Sequence, residues 1–313
     1  MKIGLVGNGA FGIKHLNALK EIDGVEVVSV VARRLESAKK TAEEYNIPHY
    51  TTSLTESLKE DMDAVIIASP TQLHAQQAIE IMRSGKHVMI EIPMADSIED
   101  AQAIVDVQKE TGMVAMAGHT RRFNPSHQWI HNKIVAGEMK IQQMDVQTYF
   151  FRRTNTNALG QPRSWTDHLL WHHACHTVDL FAYQTGEEIV QVQAMQGPKD
   201  PVLGIAMDMS IGLKSASGAI CTLSLSFNND GPFGTFFRYI CDNGTYLARY
   251  DDLFDGKENP IDVSKVAVSM NGIELQDREF IRAIKDGNEP NSSVKQALSA
   301  MKILDALEKK LDA

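Results

Sequence analysis

The segment LLWHHACHTVD, residues 169–179, places His172, His173 and His176 within five positions, with Cys175 among them and Asp179 just beyond. On an α-helix His172 and His176 stand one turn apart. Two imidazoles grip zinc with this spacing in H-E-x-x-H, but His173 fills the Glu position here. A zinc site would also need a third ligand and a carboxylate to orient an imidazole. No metal is therefore assigned, and the histidines are read as proton-transfer groups, because imidazole titrates near neutrality. Zinc binding and purely local hydrogen bonding stay as alternatives. Cys175 raises a further one, a thiol that forms a thiohemiacetal with an aldehyde. On a helix it points about 100° away from His176, which suits a small buried side chain better.

A second group of residues could hold a phosphate. GLVGNGAFG sets Gly7, Gly9 and Gly12 in G-x-G-x-x-G spacing, after an apolar strand-like run and at the mouth of a helical one. Gly7 permits the tight turn, Gly9 lets a pyrophosphate approach the backbone, and Gly12 allows helix and strand to pack closely. The loop Gly7, Asn8, Gly9, Ala10, Phe11 and Gly12 then offers a helix amino terminus to the phosphates. Some 20 positions further on, an NAD site usually carries an acid for the ribose 2′-hydroxyl. This chain has Ala32, Arg33 and Arg34 there, and its first acid, Glu36, already belongs to the next helix. Guanidiniums pair with a 2′-phosphate that a carboxylate would repel, so NADP is expected, with NAD held at lower affinity. The alternative is that both arginines are solvated loop charges.

These residues need elements to position them. Up to about Gly118, short β-branched runs such as KIGLVG, VEVVSVVAR, MDAVIIAS, KHVMIE and MVAMAG alternate with amphipathic stretches of helical length. That rhythm predicts a doubly wound parallel sheet of Rossmann type. Beyond it come a helix opening at Asn124-Pro125-Ser126, a strand in IQQMDVQTYFFRR, the histidine helix, and four strand-like runs from residue 189 to residue 250. Ser-Ala-Ser-Gly and Asp-Asn-Gly punctuate those runs as hairpin turns, so a large open, mainly antiparallel sheet is expected. Helices over about 274–286 and 292–311 close the chain. The expected division is a dinucleotide-binding domain over 1–120 and an α/β domain for substrate binding and oligomerisation over 121–313.

The 313 residues carry a net charge of -9, with 43% hydrophobic and 23% charged residues. Such a balance argues against nucleic-acid or anionic-membrane partners, which need clustered positive charge. Three cysteines without a C-x-x-C pair suggest neither a disulfide framework nor a thiolate metal site, and point to a reducing cytoplasm. The apolar amino terminus is broken by glycines and does not read as a signal peptide. Against the acidic background, His119 to Thr166 holds seven Lys and Arg and two acids, a local +5. Arg122, Arg152, Arg153 and Arg163 in this region are candidate carboxylate forks, with ordinary surface or interface roles as the alternative.

With the glycine loop, SPTQLHAQQAIEIMRSGKHVMIEIPMA, the histidine helix and the open sheet together, the whole chain resembles the Gfo/Idh/MocA oxidoreductases. The resemblance implies that Ser69, Pro70, Thr71 and His74 lie in a loop beside the nicotinamide. It also implies that Glu91 and Pro93 stand in the family's E-K-P motif, and His176 and Asp179 in its H-x-x-D. Two departures stand out: Ile92 replaces the E-K-P lysine, and His172 stands where an aspartate is common four residues before the histidine. GHTRRFNPSHQWIHNKIVAGE, PRSWTDHLLWHHA and SFNNDGPFGTFFRYICDNGT are most similar to the branch that acts after 4,5-cleavage of protocatechuate in bacterial breakdown of lignin aromatics. This implies NADP-dependent oxidation of a dicarboxylate semialdehyde, as its cyclic hemiacetal, to 2-pyrone-4,6-dicarboxylate. It also implies a homo-oligomer, dimer or tetramer. His176 is then expected as the base or hydroxyl partner, with His173 and His172 as alternates, and Asp179 as either an orienting carboxylate or a structural acceptor. Arg122, Arg152, Arg153, Arg163, Asn228 and His119, the last on the nicotinamide side, are the expected substrate contacts. Rival readings are a sugar or inositol dehydrogenase of the same family and a non-catalytic dinucleotide sensor.

Overall fold

The structure is a computed structural model that describes residues 1–156, 160, 162–163, 165–263 and 272–311. The chain divides into two compact units, Met1–His119 with Ile273–Leu298, and Thr120–Gly272 with Ser299–Ala313. Residues 273–298, which the sequence pattern attaches to the second domain, thus return to the first unit.

The first unit holds a six-stranded parallel sheet: β1 (Lys2–Val6), β2 (Glu26–Val31), β3 (His49–Thr51), β4 (Ala64–Ile67), β5 (His87–Ile90) and β6 (Ala115–Ala117). Their order is β3-β2-β1-β4-β5-β6, so the connection reverses between β1 and β4. In sheets of this kind ligands bind outside the carboxyl ends of the strands at that reversal, where the glycine loop and Ser69–Thr71 emerge. All four residues of β4 are buried, as are the last four of β1 and β2. Burial on both faces is why these strands read as unbroken apolar runs. Helices α1 (Ala10–Lys20), α2 (Leu35–Tyr45), α3 (Leu54–Ser57), α4 (His74–Arg83) and α5 (Ile98–Thr111) make the connections. The α5 boundaries follow local chemistry: the Ser97 hydroxyl accepts from the Asp100 N–H, Glu99 and Asp100 occupy the first turn, and Gly112 ends the helix left-handed.

The second unit opens with α6 (Pro125–Val135), which has Asn124 at its cap and Pro125 at its first position. It continues with β7 (Ile141–Tyr149), a π-helical stretch Leu169–Ala174, α7 (Cys175–Thr185), β8 (Ile189–Gln196), β9 (Asp208–Ser215), β10 (Ile220–Ser226), β11 (Gly234–Cys241), β12 (Gly244–Arg249) and β13 (Asp252–Asp255). Helix α8 (Ile273–Asp286) belongs to the first unit, and α9 (Val294–Leu311) ends the chain. The seven strands run β13-β12-β11-β7-β10-β9-β8. Pairing is antiparallel except between β7 and β10, which are parallel with Val146 opposite Leu223. One face buries Met144, Val146, Leu223, Leu225, Ile211 and Leu213. The other carries Gln147, Thr222 and Lys214 outward, as period-two alternation requires. No described helix is long and apolar enough to cross a membrane.

Candidate active site

The glycine loop fits a dinucleotide pyrophosphate. Gly7 adopts φ +97° and a side chain there would strike the Ala68 carbonyl, while one on Gly12 would strike the carbonyl of Gly7. A Cβ on Gly9 meets nothing within 4 Å. Gly9 also caps α1, whose first turn holds no acid, so the helix N–H groups present positive potential at the open position. Asn8 anchors the loop by donating from Nδ2 to the Ser37 hydroxyl at 2.7 Å and the Thr41 hydroxyl at 2.9 Å. At the end of β2, Arg33 and Arg34 are exposed, and their guanidiniums form no hydrogen bond or ion pair with the described residues.

Near the carboxyl end of β4 the Ser69 hydroxyl donates to Gln77 Oε1 at 2.6 Å. His74 is buried between two carbonyls, with Nδ1 2.9 Å from Pro93 O and Nε2 2.8 Å from Ser69 O. Burial lowers its pKa, so the neutral ring donates to one carbonyl at a time and clips the Ser69–Pro70–Thr71 loop to Pro93. Glu91, at the end of β5, belongs to a group that motif reasoning missed. His15 Nε2 lies 3.0 Å from Glu91 Oε1, and its Nδ1 lies 2.9 Å from Asp277 Oδ1 on α8. Burial opposes charge on His15, but the two carboxylates outweigh it and raise the pKa to about 10. An imidazolium therefore ties α1, β5 and α8 together. Its only sequence signal is a histidine inside the buried face of α1.

In the second unit the histidine segment is not a regular α-helix throughout. Leu169–Ala174 is π-helical and α7 begins at Cys175. The join between π and α geometry thus falls between His173 and His176. The Trp171 indole N–H donates to Glu308 Oε1 at 2.8 Å and fastens the π segment to α9. His176 is half-buried at the second position of α7, and Cys175 is 1% exposed.

The hub is Asp167. Its Oδ2 accepts from Arg163 Nη1 at 2.6 Å and pairs with Arg152 Nη2 at 2.8 Å, while Oδ1 accepts from His173 Nε2 at 2.9 Å. Burial would raise the pKa of this carboxyl, but His173 and Arg152 prevail and hold it well below the usual range. The His173 ring lies between Phe150 and Phe227, with centroids 5.4 and 5.1 Å away, and the Arg152 guanidinium sits 4.3 Å from the Phe227 centroid. His172 Nδ1 accepts the backbone N–H of His168 at 3.2 Å. Burial lowers the pKa of His172 to about 3, and it lowers that of His168 as well. Two arginines around one carboxylate leave local positive charge beside neutral imidazole, an environment suited to an anion. The tally of charges from His119 to Thr166 stops one residue short of the acid that organises them.

Not every expected contact joins this hub. Arg122 and Asp179 are both buried and fork together, Nε to Oδ2 at 2.8 Å and Nη2 to Oδ1 at 2.6 Å, with Arg122 also over the Tyr183 ring. The Arg122 guanidinium is thus engaged by a buried carboxylate. Asp179 accepts that fork, and Asp167 is a carboxylate that meets a histidine. Arg153 is exposed and donates to Asn228 Oδ1 at 3.1 Å, while Asn228 Nδ2 donates to Asp208 at 2.7 Å, so both sit at strand ends near Arg152. His119 is buried and follows Gly118 at the end of the first unit. Among the described residues, no three His, Cys, Asp or Glu side chains converge as metal ligands.

Residues 1–119 match the family described as "Oxidoreductase family, NAD-binding Rossmann fold", and residues 125–267 match "Bacterial oxidoreductases, C-terminal". The chain is 68% identical over 313 residues to the 4-carboxy-2-hydroxymuconate-6-semialdehyde dehydrogenase of Sphingobium sp. (strain NBRC 103272 / SYK-6), covering 100% of this chain and 99% of that one. A levoglucosan dehydrogenase solved with NADH and levoglucosan superposes with TM-score 0.88 at 20% identity, covering 100% and 97%. An oxidoreductase from Agrobacterium radiobacter, in complex with NAD+, L-tartaric acid and magnesium, gives TM-score 0.86 at 16% identity, covering 100% and 96%.

Proposed function

The chain belongs to the Gfo/Idh/MocA oxidoreductase family, and from that premise we propose that it oxidises 4-carboxy-2-hydroxymuconate-6-semialdehyde to 2-pyrone-4,6-dicarboxylate with NADP. The substrate reacts as its cyclic hemiacetal, whose ring carbon bears both the hydroxyl and the hydrogen to be removed. The observation that carries the reading is the Asp167 hub, which sets Arg152 and Arg163 beside His172 and His173 in a chain 68% identical to a dehydrogenase of that name. A dicarboxylate matches the guanidiniums, and loss of a hydroxyl proton as a hydride departs needs one imidazole base. The oxidised nicotinamide, when bound, supplies the two-electron acceptor. Gly7–Gly12 holds its pyrophosphate, with Ser69, Pro70, Thr71, Glu91 and Pro93 supporting the nicotinamide side. Arg153, Asn228 and His119 are further substrate contacts, and His176 remains a hydroxyl partner.

The NADP preference rests on Arg33 and Arg34, exposed and unpaired where an NAD site carries an acid. Replacing both by Ala raises the KM for NADP at least tenfold more than that for NAD; equal changes would remove the preference. Deep burial of Cys175 supports a packing role, and a Cys175→Ala enzyme that retains turnover would agree with it. A homo-oligomer, dimer or tetramer, built on the open face of the seven-stranded sheet is part of this reading. Met195 on β8 is 73% exposed and Ile220 on β10 is 39% exposed. Light scattering on the purified chain tests it. The first assay is nicotinamide absorbance after mixing protein, NADP and freshly made protocatechuate 4,5-cleavage product. A rise accompanied by the pyrone supports the reading; silence with NADP and NAD alike would overturn it.

A further inference from the structure

We infer that His173 is the catalytic base and that Asp167 is its positioning residue, while the neighbouring His172 is confined to donating a hydrogen bond. The inference rests on the proposed hemiacetal oxidation for its substrate and on the structure for its assignment.

The two histidines differ in which ring lone pair each keeps available. An ionised carboxylate can only accept, so the 2.9 Å contact between His173 Nε2 and Asp167 Oδ1 requires the proton on Nε2. Neutral His173 then carries its lone pair on Nδ1, which makes no hydrogen bond to the described residues. His172 shares that tautomer with the opposite consequence. Its Nδ1 lone pair accepts the His168 N–H, so only an N–H remains at Nε2. Burial keeps the ring uncharged, and a neutral ring with its lone pair taken cannot receive a substrate proton. One imidazole is thereby left as acceptor and its neighbour as donor, by the hydrogen bond each makes at its other nitrogen.

In the reaction, the hemiacetal O–H bond breaks toward His173 Nδ1, the oxygen electron pair forms the lactone carbonyl, and the C–H pair leaves as hydride to the oxidised dinucleotide. The new imidazolium faces Asp167 across Nε2, with Arg152 and Arg163 on the other carboxylate oxygen and His168 and His172 as the titratable neighbours. Its remaining neighbours, Phe150 and Phe227, are apolar. Asp167 thus orients the ring and stabilises the charge that develops on it, as a carboxylate does for a histidine base elsewhere. The same carboxylate spaces the two guanidiniums, so base and anion site share one anchor.

The test compares wild type, His173→Ala and Asp167→Asn by pH profiles of kcat and kcat/KM on the ring-cleavage semialdehyde with NADP, alongside ¹⁵N spectra of histidine-labelled protein. The expected results are a kcat about 10²–10⁴-fold lower in His173→Ala, with part of the activity restored by added imidazole. In Asp167→Asn the acid limb of kcat/KM moves to lower pH and kcat falls, beyond any change in KM. A His173→Ala enzyme within threefold of wild-type kcat, with the wild-type acid limb, would overturn the inference while leaving the substrate reading intact. So would an Asp167→Asn enzyme changed in KM alone, which is what merely holding arginines predicts. If Asp167→Asn fails to fold, imidazole rescue of His173→Ala decides. If wild type does not turn over the semialdehyde, the substrate reading fails. The spectra still decide the positioning: Nε2 protonated and Nδ1 bare in wild-type His173 upholds it, and the opposite tautomer ends it.

Discussion

At the scale of single residues, similar side chains take different tasks according to what lies opposite them. Arg122 and Arg152 are both buried or nearly so, yet one closes a fork with Asp179 while the other shares Asp167 with Arg163 and His173. Removing one member of a buried pair leaves the other charge without compensation, which costs about 3–5 kcal/mol. Arg122→Ala is therefore expected to lower the unfolding free energy by that order in urea titration. Arg163→Ala, whose partner keeps Arg152 and His173, raises the KM for the dicarboxylate with a smaller loss of stability. If Arg122→Ala instead raised KM at unchanged urea midpoint, the fork would be a substrate contact after all.

At the scale of elements, the loop between β1 and α1 and the π-to-α segment before α7 both aim groups by departing from regular geometry. In the loop, Gly12 and Gly9 separate packing from binding. A side chain on Gly12 meets the Gly7 backbone, whereas one on Gly9 meets open space. Gly12→Ala is expected to lower the thermal midpoint by several degrees. Gly9→Ala keeps the wild-type midpoint but weakens NADPH binding at least tenfold by fluorescence titration, since the methyl stands where the pyrophosphate approaches. Equal midpoints for the two variants would contradict this division. The π segment carries His172 and His173 ahead of α7, and Trp171 holds it in place through Glu308.

At the scale of the whole molecule, the return of α8 to the first unit makes the cofactor-binding fold depend on residues far along the chain. Its buried link is the His15 imidazolium between Glu91 and Asp277. With a folded pKa raised to about 10 from the ordinary 6.5, this group contributes its full stabilisation below pH 6.5 and loses it as pH rises through 10. Wild type should accordingly show a fall in unfolding free energy between pH 7 and 10.5 that a His15→Gln variant lacks, measured by denaturant titration at each pH. Identical slopes in the two proteins would mean that His15 is buried uncharged.

The sequence by itself determined the alternation of parallel strands and helices, the phosphate loop, the missing acid after β2 and the open antiparallel sheet. Each is written in local periodicity or in a backbone demand that only glycine meets. Elements too short to show a period, β3 and α3, escaped it. So did β13 and the parallel pairing of β7 with β10, because register between distant strands leaves no local trace. The histidine cluster was legible as chemistry, but its orienting acid was not. Asp179 has the right spacing on paper, and only folding shows that Arg122 claims it while Asp167, across a π turn, faces His173. Tertiary structure decided these roles because hydrogen-bond partners are chosen by distance in space: both oxygens of Asp179 meet the Arg122 fork, whereas Asp167 receives its guanidiniums on Oδ2 and keeps Oδ1 for His173.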